Sequence, residues 1–244
     1  MALLEVNISR KDFPLNGNTL SVLRGIRFNV EKGAFVSIIG PSGCGKTTIL
    51  KIILGIETQY EGKILLNGEM ITEPALNRGL VFQDHRLLPW MSVYENIAFA
   101  LPSDMTKKEK EEKVNNVIQL VGLTEFKKVL PRQLSGGMAQ RVAIARAIVN
   151  MPDVLLLDEA FGSLDDFTRA KMQIELQRIV NQSHTTTLMV THNIDEAILL
   201  SNKILVMCDK PSTIADAIDI NMNYPRDKRS DEFVLYRNRL ITEL

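Results

Sequence analysis

Apolar residues alternate with polar ones, or run unbroken, through most of the first forty positions. The stretches "LLEVNIS" (3–9), "LRGIRFNV" (23–30) and "AFVSIIG" (34–40) are rich in β-branched and large apolar side chains and predict strands. Asn16-Gly17, inside Leu15–Thr19, predicts a tight turn. From Thr47 to Leu54 the spacing becomes helical. The stretch "EGKILLNGEMI" (61–71) reads as a hairpin about Asn67-Gly68, and "NRGLVFQ" (77–83) as a short strand. Residues 87–130 differ in character. They include the apolar "LLPWMSVYENIAFAL", then a charged segment with an apolar stripe at Val114, Val117, Ile118 and Val121, which predicts an amphipathic helix. Another helix is expected from Ser135. Three apolar runs follow, "DVLLLDEA" (153–160), "TTTLMVTHN" (185–193) and "KILVMC" (203–208), each the length of a buried strand. The tail "YPRDKRSDEF" (224–233) reads as a solvated turn before a last amphipathic helix.

Buried runs alternating with helices predict an α/β fold with a mostly parallel sheet covered on both faces, preceded by an antiparallel β portion. The helical stretch, roughly 87–150, interrupts that alternation and reads as an inserted subdomain. The whole chain, 1–244, is expected to form one domain.

Charge and cysteine content narrow the function classes. Lys plus Arg and Asp plus Glu each count 29 in 244 residues, so the formal net charge is zero. That gives no support to bulk electrostatic binding of DNA or RNA. Two cysteines, Cys44 and Cys208, can form one bridge at most, and a core of this size needs none. The opening "MALLEVNISRKDF" lacks a basic region followed by a long apolar core, and no apolar run approaches the roughly 18 residues of a membrane span. A soluble, cytoplasmic protein is expected, one that works at a membrane only through a partner.

The chemistry is concentrated in three places. The first is Gly40, Pro41, Ser42, Gly43, Cys44 and Gly45, followed by Lys46, Thr47 and Thr48. The spacing Gly-x4-Gly-Lys-Thr between a strand and a helix is the P-loop pattern. Its glycines let successive backbone N–H groups face one anion, and the following helix adds the positive end of its dipole. Lys46 is placed to reach the β- and γ-phosphates and the Thr47 hydroxyl to hold Mg²⁺. Cys44 reads as a small residue tolerated in the loop. The second place is the end of "VLLLDEA". Asp158 can join the shell of Mg²⁺, and Glu159 can take a proton from an attacking water. The third is Ser135-Gly136-Gly137 at a helix start, a second cluster of anion donors.

Together, the P-loop, "LLLDE" and "LSGGMAQRVAIARA" resemble the ATP-binding subunit of ABC transporters over nearly the whole chain. The family's signature usually ends in glutamine where Met138 stands, and proline is usual where Ala160 follows Glu159. The resemblance implies further roles. Gln83 corresponds to the Q-loop glutamine, a contact of Mg²⁺ and water. Asp165 corresponds to the D-loop aspartate, with Ser163 where alanine is common. His192 corresponds to the switch histidine at the γ-phosphate, and Phe13 is placed like the aromatic that stacks on adenine. The fold implied is that of a P-loop NTPase of the ABC ATPase type, with ATP as substrate and Mg²⁺ as cofactor. Two anion sites on one chain serve one triphosphate each time two copies pair head to tail. The implied partners are therefore a second copy and membrane permease subunits, with an extracytoplasmic substrate-binding protein acting through them. The implied location is the inner face of the cell membrane.

One P-loop and one signature make a half-machine. The chain stops about fifty residues after His192, too short for the regulatory barrel of sugar-importer ATPases. Leu87, Leu88, Pro89 and Trp90 put an apolar, aromatic cluster just after the Q-loop, where the family meets its permease. These residues, the signature helix and the tail resemble the importers of nitrate, sulfonate and taurine, with the signature helix leaning toward aliphatic sulfonates. Two other classes are weighed against this. A soluble ABC ATPase acting on ribosomes or DNA would carry two such units or a basic surface. An accessory ABC ATPase of iron–sulfur cluster assembly would have soluble partners.

Overall fold

The alternation at the start of the chain builds a long antiparallel pair in a computed structural model that describes residues 2–15, 18–208 and 211–243. Strand β1 (Ala2–Leu15) runs against β2 (Asn18–Glu31), with Val6 opposite Phe28 and Leu15 opposite Asn18. Leu4, Val6 and Ile8 point to the core while Glu5 and Ser9 point to solvent, the period of two that a half-buried sheet requires. Both strands are longer than expected, and Phe13 lies within β1 opposite Leu20. The Asn16-Gly17 turn lies outside the described residues. On the other side of β1 comes β4 (Glu61–Leu66), then β5 (Glu69–Met70), in the order β2-β1-β4-β5. Asn67 and Gly68 join β4 to β5 with φ of 53° and 82°, the left-handed pair that an Asn-Gly hairpin turn needs.

By contacts the chain forms two compact units, Met1–Ala75 with Thr186–Leu244, and Leu76–Thr185. In the first, β3 (Phe35–Ile39) lies between β8 (Thr186–Val190) and β9 (Lys203–Met207), parallel to both. All five residues of β3 and of β8 are buried, as strands covered on both faces must be. An antiparallel edge strand that the sequence pattern did not mark, β10 (Ile214–Asp219), pairs with β9. Helix α1 (Lys46–Ile53) follows β3 and buries Ile49, Leu50, Ile52 and Ile53. Helices α6 (Ile194–Leu200) and α7 (Asp231–Glu243) share a core with the sheet, in which Ile198, Ile204, Val206, Phe233 and Leu240 are buried.

In the second unit, β6 (Arg78–Val81) and β7 (Val154–Asp158) are parallel neighbours, with Val81 opposite Leu157. Between them in sequence come α2 (Val93–Ala98), α3 (Lys107–Leu120) and α4 (Gly136–Ile148), and after β7 comes α5 (Asp166–Ser183). Capping boxes start α2 and α3. Ser92 and Thr106 accept from the N–H of Glu95 and Glu109, whose carboxylates accept in return. Helix α3 buries Val114, Val117 and Ile118, and Val121 caps its end, so the predicted stripe is its core face. The apolar stretch 87–101 yields only the short α2, because residues 82–92 take an irregular path. No helix among the described residues is long and apolar enough to cross a membrane.

Candidate nucleotide-binding site

The loop between β3 and α1 is held by close packing that only glycine allows. A Cβ on Gly40 would lie 2.7 Å from the Met207 carbonyl oxygen. One on Gly45, whose φ is 101°, would lie 2.7 Å from Leu23 Cδ2 and 2.9 Å from Val22 Cγ1. Gly43 also takes a positive φ, 78°. Pro41 and Thr48 are half-buried, whereas Ser42, Gly43 and Thr47 are exposed. Lys46, only 5 % exposed, curls into the loop and donates to the carbonyls of Gly40 (2.8 Å) and Pro41 (2.9 Å). The ammonium is thus fixed inside the loop by neutral acceptors that leave its charge uncancelled. Cys44 is a buried free thiol. Burial pushes its pKa up, and the Lys46 ammonium only partly opposes this.

In the same unit, His192 follows β8 in an exposed turn whose base is stiff. The buried Thr191 hydroxyl donates to Glu196 Oε2 at 2.6 Å, the Asn193 N–H donates to Thr191 Oγ1, and the Asn193 side chain caps α6 at the Glu196 N–H. Phe13 is half-buried on β1, with the Lys11 ammonium 4.2 Å from its ring centroid. Lys11 itself is buried, paired with Glu57 at 2.9 Å and the Gln59 carbonyl at 2.6 Å.

The second unit gathers Gln83, Glu159 and the loop before Asp165. Four fully buried residues of β7 carry Asp158 to the strand end, half-buried, with Glu159 next. Glu159 has φ of 48°, a left-handed conformation that costs a non-glycine residue about 1–3 kcal/mol and aims its side chain out of the strand path. The Gly162 N–H closes the turn on the Glu159 carbonyl at 2.9 Å. A Cβ on Gly162 would lie 3.0 Å from Gln83 Nε2, so the exposed Gln83 amide rests against this turn. The Ser163 hydroxyl donates to the Gln83 carbonyl at 3.3 Å. Ala160 and Phe161 are buried beneath, which anchors the turn where the sequence lacks a proline. Arg169 donates to the carbonyls of Phe161 and Leu164, and Asp165 caps α5 by accepting from the Thr168 N–H at 3.0 Å. Hydrogen bonds from Thr168, side chain then backbone, hold the Asp165 carboxyl below the usual range.

Ser135 caps α4, accepting from the Met138 N–H at 3.3 Å. Ser135 and Gly136 are exposed, while Gly137 is buried. A Cβ on Gly137 would lie 3.0 Å from Thr168 Cγ2, so this glycine lets α4 approach α5 closely as well as freeing backbone donors. The neighbouring His85 is half-buried. Burial lowers its pKa, opposed by a backbone hydrogen bond at Gly136. Leu87 and Leu88 are half-buried, and Trp90 is 71 % exposed.

No group of three or more His, Cys, Asp or Glu side chains among the described residues could cage a metal. Taken separately, Thr47 of the first unit offers an exposed hydroxyl and Asp158 of the second a strand-end carboxylate, each an oxygen donor of the type a hard cation takes when phosphate oxygens and waters complete its shell.

Comparison with known proteins shows the family of the chain. Residues 23–162 match the family model for ABC transporters. The chain is 47 % identical over 242 residues to the aliphatic sulfonates import ATP-binding protein SsuB of Bacillus thuringiensis subsp. konkukian, covering 98 % of this chain and 95 % of that one. It is 46 % identical over 226 residues to the bicarbonate transport ATP-binding protein CmpC of Synechococcus elongatus, covering 91 % of this chain and 34 % of that longer one. Among solved structures it is similar to the dimeric, post-hydrolysis ATP-binding cassette MJ0796 bound to ADP and Pi. The TM-score there is 0.75 at 27 % identity, with 90 % of this chain and all of that one covered.

Proposed function

Because the chain belongs to the ABC transporter family, we propose that it is the ATP-hydrolysing subunit of an importer and that two copies share each ATP. The observation carrying this reading is the geometry of residues 40–46. An ammonium is held inside a loop whose Gly40 and Gly45 admit no side chain, which suits a cradle for a polyphosphate. In this reading Gly40 through Thr48 wrap the phosphates, Phe13 stacks on adenine, and Ser135, Gly136 and Gly137 of a second copy close over the γ-phosphate. Thr47, Asp158 and Gln83 would hold Mg²⁺, which neutralises charge on the phosphates. Glu159 accepts the proton of the attacking water, and the stiff His192 turn and Asp165 position groups about the γ-phosphate. Residues 1–244 act as one ABC ATPase domain, with the helical insertion at roughly 87–150.

The transported solute is proposed to be a small oxyanion, of the alkanesulfonate, taurine or nitrate type. The similarity to a sulfonate-importer subunit and to a bicarbonate-transport subunit, whose named substrates are both small oxyanions, supports this reading. Exposed Trp90, with Leu87 and Leu88 beside it, is proposed to meet membrane permease subunits, which in turn engage an extracytoplasmic binding protein. The protein then sits on the inner face of the membrane without spanning it. Calorimetry on Lys46→Ala tests the nucleotide site. ATP affinity should fall at least tenfold, and unchanged affinity in a folded variant would refute the assignment.

A further inference from the structure

Residues 82–92 contain no regular backbone hydrogen-bond ladder, yet two polar side chains from different helices, the buried Asn96 and the half-buried Arg146, grip them. Asn96 of α2 is wholly inaccessible to solvent. Its Oδ1 accepts from the Leu88 N–H at 2.8 Å, and its Nδ2 donates to the carbonyls of Leu88 (3.1 Å), Met91 (2.9 Å) and Ser92 (3.1 Å). Two N–H groups serving three carbonyls use the full donor capacity of the amide. Arg146 of α4 forks across the next stretch, donating to the carbonyls of Arg86 (2.8 Å) and His85 (3.0 Å). Between these grips Arg86 takes a left-handed φ of 46° and lays its guanidinium 3.8 Å over the Phe82 ring. Ordering irregular backbone costs conformational entropy, which a loop normally recovers by burying its large side chains. Here the one tryptophan of the chain, Trp90, is left outside.

We propose that Asn96 and Arg146 are positioning residues that hold residues 85–92 as a preformed platform presenting Trp90 to the permease. The proposal rests on the reading of Trp90 as a docking residue. Its logic is preorganisation: a loop ordered before contact loses less entropy on binding, so affinity is set partly by two side chains that never touch the partner.

Trp90 is its own reporter. In the unaltered protein its time-resolved fluorescence anisotropy should decay with overall tumbling, and a dominant nanosecond local component would overturn the proposal. Asn96→Asp keeps the shape and the acceptor but loses every donor, and Arg146→Met keeps the length but loses the fork. Each should at least double the amplitude of the fast component while far-ultraviolet circular dichroism is retained. Each should also weaken binding to the importer's own permease subunits in lipid nanodiscs at least tenfold. Folded variants with an unchanged anisotropy decay, or with a mobile Trp90 and full permease affinity, would overturn the positioning role. Trp90→Ala is the separate control. If it binds the permease normally, the docking reading fails, whereas the anisotropy result on Asn96 still judges the grip.

Discussion

Replacing Arg226 with methionine should destabilise the unit that carries the P-loop, by an amount the structure bounds. Arg226 follows the last strand and is buried. Its guanidinium donates to the carbonyls of Ile198, Ser201, Met222 and Ile220 and lies 4.2 Å from the Tyr224 ring centroid. Ile198 lies in the last turn of α6 and Ser201 just past it, so the side chain satisfies carbonyls that the helix cannot. Methionine fills most of the volume but donates nothing. An unsatisfied buried acceptor costs about 1–3 kcal/mol, and four are at stake, though relaxation and the avoided burial of a charge offset part of the sum. A net loss of about 3–5 kcal/mol follows. For a chain of this size, at about 2–4 °C per kcal/mol, that lowers the melting temperature by roughly 6–20 °C. Thermal unfolding by circular dichroism reads it directly. Arg226→Lys, which keeps the charge but not the fork, should fall between the two. A shift below about 2 °C in Arg226→Met would refute the reasoning, because it would mean that those carbonyls find other partners at no cost.

Gly45→Ala should cost about 2 kcal/mol or more, since its Cβ meets Leu23 and Val22 at under 3 Å in a left-handed backbone; Gly33→Ala, with φ of 75° but nothing within 4 Å, isolates the backbone part, and equal denaturation midpoints for the two would contradict the contact. Alkylation by N-ethylmaleimide, followed by peptide mass spectrometry at pH 7.5, should label half-buried Cys208 well before Cys44, whose thiol is buried with a raised pKa; faster labelling of Cys44 would contradict that environment.

Local chemistry was legible in the sequence wherever it is local in the chain. The P-loop spacing, the Asn67-Gly68 turn, the α3 stripe and the buried run ending at Asp158 each depend on neighbours a few residues away. What the sequence hid depends on distant partners. Asn96 reads as one polar residue in an apolar helix, and only the fold shows that its amide closes the loop five to eight residues earlier. Arg146 reads as an exposed helix charge until its fork meets carbonyls sixty residues away. Glu159 looks like an ordinary strand-end acid, and its left-handed backbone has no sequence signal without glycine or asparagine. Strand β10, "IADAID", went unmarked because an edge strand with one buried face and few β-branched residues gives a weak pattern. The signature glycines carry two roles where motif reading gave one, because Gly137 also admits Thr168 of α5.

Glu159 is proposed as the base of an ATPase whose site closes between two copies. Glu159→Gln keeps the size and a hydrogen bond to water but takes no proton at neutral pH. Phosphate release should fall roughly 10²- to 10⁴-fold, the usual worth of a positioned base. With the proposed ATP contacts of Lys46, Thr47 and Asp158 left in place, the uncleaved γ-phosphate should hold two copies together, and size-exclusion chromatography should show an ATP-dependent dimer. Near-normal hydrolysis in Glu159→Gln would contradict the account.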